Sequence, residues 1–170
     1  MRITDKYVFF YKDWLSNFQR TSFKHHIGNK EYTFTSTEQA FMFYKAWTFG
    51  DSDIAQQILA TNHPNEARLL GRKVKNYDDT VWDKIREQVF YSLNLSKYTQ
   101  DKKLQKMLLD SKFDGKIFVE ASPIDRIWGV GLDENNPLID DEDNWKGRNL
   151  LGNILTRIRK HLKDENTTKD

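Results

Sequence analysis

The chain has 170 residues, a usual length for one domain, and 27 Lys and Arg against 25 Asp and Glu leave a net charge of +2. That balance gives no general pull toward nucleic acid or membrane, so any nucleic-acid contact must rest on a local basic patch. With no cysteine in the chain, disulfides, thiolate metal sites and a cysteine nucleophile are excluded.

The N-terminal stretch MRITDKYVFFYKDW has no long apolar core ahead of a small-residue cleavage site, so no signal peptide is expected. No run of about 18 apolar residues occurs, so no transmembrane helix is expected either. These features predict a cytoplasmic protein. Aromatics make up 14% of the chain, with five tryptophans, several beside Asp, Lys or Gly. Such planes either stack on a ring-shaped ligand or pack an ordinary core.

Taken in chain order, Tyr7–Tyr11 reads as a strand. Thr21–Ile27 and Glu31–Phe34 read as a strand pair turned at Gly28-Asn29. From Thr35 the period becomes helical, and Thr35 with Glu38 has capping-box spacing ahead of a helix over about Ser36–Thr48. Gly50 ends it, Asp51 caps a helix to about Ala60, and Pro64 opens a short helix closed by Gly71. Asp78 or Asp79 starts a longer helix, with Val81, Ile85, Val89 and Leu93 as its apolar stripe. Lys102–Leu109 is amphipathic, Lys116–Ala121 is a strand, and Gly147–Leu162 is a closing helix. The expected fold class is α+β: one compact helix-rich domain over 1–163 with a small sheet, followed by a polar frayed tail over 164–170.

Several polar residues do not fit a core. Glu38 and Lys45 lie seven residues apart, two helical turns and about 10 Å along one face. That spacing suits two groups reaching one small molecule from opposite ends, or equally a cap and a solvated charge. In EASPIDRIWGVGL (Glu120–Leu132), Asp125 and Trp128 can supply an acid–base group and a stacking wall. Gly129 and Gly131 would let backbone amides approach a ligand; a β-bulge with a surface ion pair is the plainer reading. Asn17 can read base edges or ribose hydroxyls, and Arg72, following the Gly71 helix end, presents a cation to a phosphate. The four histidines lack metal-ligand spacing, so no metal is assigned. The lone GxG at Gly129–Gly131 does not make a dinucleotide fingerprint.

Together these segments resemble the NADAR (YbiA-like) family. The match is carried by LSNF (Leu15–Phe18), STEQAFMFYKA (Ser36–Ala46), FGD (Phe49–Asp51), LGR (Leu70–Arg72), WD (Trp82-Asp83), EASPIDRIWGVGL and WKGRNLLGNIL (Trp145–Leu155). Tyr98 stands where the family often has Phe, and the acidic Asp133–Asn144 carries no family motif. The resemblance implies a YbiA-like α+β fold and a hydrolase, an N-glycosidase needing no cofactor. Its implied substrates are ADP-ribosylated guanine in nucleic acid or nucleotides, or ribosylated aminopyrimidine phosphates of riboflavin biosynthesis. The other functional class is a module that binds ADP-ribose or a nucleotide without cleaving it.

In the implied reaction Glu38 and Asp125 move protons. Lys45 either holds phosphate or, as the resemblance favours, attacks C1 of the opened sugar to form a Schiff base, which requires its amine to be deprotonated by burial among Phe41, Tyr44 and Trp47. Asn17, Trp82 and Trp128 are expected to hold base or ribose, and Arg72 phosphate.

Overall fold

The computed structural model describes residues 1–169, which form two compact units, each with its own core. The first comprises Met1–Ser16 and the chain from Lys103 onward; the second comprises Asn17–Lys102.

In the first unit, β1 (Arg2–Ile3) pairs antiparallel with β2 (Tyr7–Phe10), and β2 pairs parallel with β5 (Ile117–Glu120). All four β2 residues are buried, as a central strand requires. Tyr7, Phe9, Val119 and Ala121 pack with Val130, Leu132 and Ile139. The helix α6 (Leu150–Thr168) packs on β5. It starts three residues later than the periodicity suggests and runs six residues further. Ion pairs one turn apart, Lys160–Asp164 and His161–Glu165, support that added length. The acidic stretch forms two short 3₁₀ turns, Pro137–Asp140 and Glu142–Asn144. They are tied down by Arg2 to Asp140 at 2.7 Å and by Trp145 Nε1 donating to the Ile139 carbonyl at 2.8 Å.

The second unit opens with the antiparallel hairpin β3 (Phe23–Ile27) and β4 (Lys30–Phe34), turned at Gly28 with φ +62°. Four helices follow: α1 (Thr37–Thr48), α2 (Ser52–Ala60), α3 (Pro64–Gly71) and α4 (Asp79–Gln100). Pro64 stands in the first turn of α3, and Asp51 and Asp78 cap α2 and α4 as their side chains allow. The cap of α1 is displaced by one residue from the expected box. Ser36 Oγ accepts from the Gln39 amide at 3.1 Å, and Gln39 Oε1 accepts from the Thr35 amide at 2.8 Å. Gln39 is therefore the returning partner, and the capping role expected of Glu38 is corrected.

The buried face of α4 keeps Val89 and Leu93 of the expected stripe, but in its first turns it lies one residue later. Trp82, Arg86, Val89, Phe90, Leu93, Asn94, Lys97 and Tyr98 face inward, while Val81 is 44% exposed. Among the polar side chains at these inward positions, Arg86 belongs to the site described next. The helix α5 (Lys102–Leu108) belongs, but for its first residue, to the first unit, and among the described residues no helix is long and apolar enough to cross a membrane.

Candidate active site

Helices α1 and α4 run antiparallel. Lys45, near the end of α1, feels the charges of Asp79 and Arg86 in the first turns of α4, and Phe41, one turn earlier, meets Phe90 with ring centroids 4.7 Å apart. Lys45 Nζ donates to the Gly71 carbonyl at 2.9 Å and lies 4.5 Å from the centre of the Tyr77 ring. Its pKa is lowered, first by burial and then by the positive charges of Arg86 and Arg72. The negative charges of Glu38 and Asp79 work the other way. One amine, two guanidinium groups and two carboxylates thus act on one another within this unit.

Tyr77 and Arg86 are not apparent as site residues in the sequence. Tyr77 donates its hydroxyl to Asp79 at 2.6 Å, and its pKa is pushed up to about 12, chiefly by burial and by that bond. Arg86 is 7% exposed and reaches Asp79 and Asp83 at 3.2 Å each. The recoverable signal was its position four residues after Trp82, on the buried side of α4. Lys45 draws its environment from Tyr77, Gly71 and these arginines.

Glu38 is 9% exposed, and its backbone amide donates to the Asn17 carbonyl at 3.0 Å. That bond ties the Asn17 segment to the first turn of α1. Asn17 Oδ1 is buried with no hydrogen-bond partner, an acceptor of the kind a ligand donor satisfies. Arg72 is exposed at the end of α3. Trp82 departs from its expected role. It is 3% exposed, with its ring on Phe41 at 5.0 Å and Phe49 at 6.3 Å, so it supports the site from the core and offers a ligand no open face.

In the first unit, Asp125 Oδ1 accepts from the amides of Ile127 at 2.9 Å and Trp128 at 2.8 Å, and its own amide donates to Ser122 Oγ at 3.0 Å. The carboxylate therefore shapes its own turn. Four successive carbonyls, Arg126 to Gly129, accept from the amides of Arg148, Leu150, Leu151 and Asn149. These bonds satisfy the start of α6 with loop backbone. Asn149, left-handed at φ 53° and 1% exposed, turns its amide to β5, accepting from the Glu120 amide at 2.9 Å and donating to the Phe118 carbonyl at 3.0 Å.

The two glycines of this turn answer to packing. A Cβ on Gly129 would come within 2.8 Å of the Glu120 carbonyl oxygen. Gly131 has φ +71° and would meet Lys146 and Arg126. Trp128 is half-buried, its amide on Asp125 and its carbonyl on Leu151.

In the second unit of this α+β protein a buried carboxylate, a depressed amine and two arginines thus influence one another. The chain belongs to the NADAR domain family, whose profile matches residues 2–163. It is 36% identical over 165 residues to the N-glycosidase R617 of Acanthamoeba polyphaga mimivirus, covering 92% of this chain and 96% of that protein. It is 29% identical over 168 residues to the chloroplastic riboflavin biosynthesis protein PYRR of Zea mays, covering 91% of this chain but 25% of that protein. The NMR structure of the Escherichia coli protein YbiA superimposes with a TM-score of 0.74 at 25% identity, covering 98% of this chain and 90% of the other.

Proposed function

We propose that this chain is an N-glycosidase that hydrolyses the bond between ribose C1 and nitrogen in a nucleotide-like substrate. The observation carrying this reading is the match to a protein named as an N-glycosidase over 96% of that protein's length. The proposed substrate is ADP-ribosylated guanine, in nucleic acid or as a nucleotide. Its pyrophosphate suits the cations Lys45, Arg72 and Arg86, whose mutual influence is already visible at Lys45.

Glu38 is the proposed acid that protonates the leaving nitrogen, with Asp125 as the second carboxylate moving a proton the other way. Of the two roles open to Lys45, the cationic one has the better support. Its Nζ is a donor to the Gly71 carbonyl and lies over the electron-rich face of Tyr77, both of which favour the ammonium. Asn17 and Trp128 are proposed contacts of base or ribose, and Arg72 of phosphate. Gly129 and Gly131 shape the turn that carries Asp125 and Trp128, and Trp82 packs under Phe41.

A second reading, cleavage of ribosylaminopyrimidine phosphates, draws on the PYRR relative, of whose length this chain spans a quarter. A module that only binds ADP-ribose has no need of a proton-moving carboxylate. Incubation with ADP-ribosylated guanine oligonucleotide and, separately, with ribosylaminopyrimidine phosphates separates the three. Base release from the first supports the proposed substrate, release from the second alone supports the alternative, and binding without release supports the module.

A further inference from the structure

Between α3 and α4 the chain runs from Arg72 through Lys73, Val74, Lys75 and Asn76 to Tyr77. Arg72, Lys73 and Lys75 are exposed, and among the described residues none of the three is in an ion pair. The cations near the end of α6 differ in this respect. Lys160 pairs with Asp164, and Arg159 and Lys163 both reach Asp114. With a net charge of only +2, any nucleic-acid contact needs a local basic patch, and three unpaired cations within four residues supply one.

The backbone carrying these cations is fixed at several points. Lys45 meets both ends of the loop, with Nζ donating to the Gly71 carbonyl at 2.9 Å and lying 4.5 Å from the centre of the Tyr77 ring. Val74, 8% exposed, anchors the middle in the core, the Lys75 amide donates to Asp51 Oδ2 at 2.9 Å, and Asn76 turns the chain at φ 61°. Phe49 braces Tyr77 edge-on at 5.3 Å, and Tyr77 is still 40% exposed. The neighbouring carboxylates have other partners. Asp51 and Asp78 cap α2 and α4, while Asp79 takes the Tyr77 hydroxyl and, with Asp83, pairs with Arg86. The loop thus presents its cations from an ordered backbone, next to the amine proposed to hold phosphate.

Lys45, Arg72 and Arg86 already match the pyrophosphate of one nucleotide-like substrate. Lys73 and Lys75 exceed that need and lie further along the same loop. We propose that Lys73 and Lys75 hold the phosphodiester backbone of a single-stranded nucleic acid beside the modified guanine, and that Tyr77 stacks a flanking base. The inference rests on the N-glycosidase reading and names the strand, in preference to the free nucleotide, as the form in which substrate binds. Unpaired cations suit phosphates, which pair with them directly, and an exposed ring beside them suits a base, which an acidic peptide lacks. One short loop is small for a duplex, whose binding modules bury about 600 Å² or more. A single strand needs only a cationic track and a stacking ring.

The test is fluorescence anisotropy of an unmodified, guanine-containing single strand of about 12 nucleotides with the full chain, from about 50 to 200 mM salt. No turnover is needed, so its failure is distinct from failure of the N-glycosidase reading. The expected result is binding that weakens with salt. In Lys73→Gln/Lys75→Gln, Kd rises at least about tenfold at low salt, and the slope of log K against log salt falls by about 1.4, two contacts at about 0.7 each. Tyr77→Leu raises Kd at least about fivefold. Lys103→Gln/Lys106→Gln, which removes the same charge from the exposed side of α5, stays within about twofold of wild type. Equal weakening by the two double variants is a general charge effect and overturns the proposal. A Kd for ADP-ribose raised as much as that for the strand assigns Lys73 and Lys75 to the nucleotide's own phosphates and overturns it as well. Absence of strand binding by the wild type, with base release from free nucleotides intact, overturns it and leaves the N-glycosidase reading standing. If Tyr77→Leu does not fold, the lysine pair decides.

Discussion

Lys45 on α1 and Tyr77, just ahead of α4, are in direct contact, with the amine 4.5 Å from the ring centre and its proton on the Gly71 carbonyl. The proposed role of this cation is to hold a phosphate. Lys45→Arg keeps the charge and is expected to retain turnover within about tenfold, whereas Lys45→Met raises KM at least about tenfold with a smaller change in kcat. Steady-state kinetics on both variants check this. An inactive Arg variant that still binds substrate contradicts the phosphate role.

Glu38 tests the acid. Ser36 and Gln39 carry the cap of α1, so Glu38→Gln is expected to leave Tm essentially unchanged while turnover falls about 10²–10⁴-fold. Thermal melts run beside the rate assay decide it, since near wild-type turnover in a folded variant removes Glu38 from the chemistry.

Asp125 has to be tested with two substitutions, because its carboxylate accepts two backbone amides. Asp125→Ala is expected to lose about 1–2 kcal/mol of stability along with activity. Asp125→Asn keeps an acceptor, so its expected signature is lost turnover with most of the stability preserved. Denaturant melts that show no difference between Ala and Asn would deny the carboxylate its structural role in the turn.

Lys97 makes stability depend on pH. Its pKa in the fold, about 7, lies well below that of an unfolded lysine, so between about pH 7 and 10 the unfolded chain holds a proton that the fold does not. Its contribution is therefore greatest at high pH, decreases as pH falls toward 7, and levels off below. Asp101 and Tyr98 are the titratable groups beside it. Lys97→Met should flatten this slope and, at pH 7, stabilise the protein by about 1–3 kcal/mol. Urea melts from pH 6 to 9 measure both effects; a destabilised Met variant would make Lys97 a structural residue.

Much of the second unit was legible because its signals are local. The hairpin turn at Gly28, the Asp51 cap and the Pro64–Gly71 helix each depend on one or two residues with special backbone chemistry. The inward face of α4 was misread because Val81 and Ile85 are apolar and regularly spaced, yet tertiary packing turned the helix so that Trp82 and Arg86 face inward. Local composition does not reveal which of two adjacent stripes is buried when both carry apolar residues. Tyr77 escaped notice because its partner, Lys45, lies 32 positions earlier in the chain. The packing demand on Gly129 is not legible locally, because the Glu120 carbonyl that excludes a side chain there belongs to the end of β5, nine residues earlier.

The most direct measurement of the central claim is the release of free guanine-containing strand from an ADP-ribosylated guanine oligonucleotide, followed by mass spectrometry with wild-type protein and Glu38→Gln in parallel. The account predicts unmodified oligonucleotide plus ADP-ribose with the wild type, and at least about 100-fold slower release with the variant. Tight binding of the modified strand with no release by the wild type, and no release from ribosylaminopyrimidine phosphates either, would contradict it.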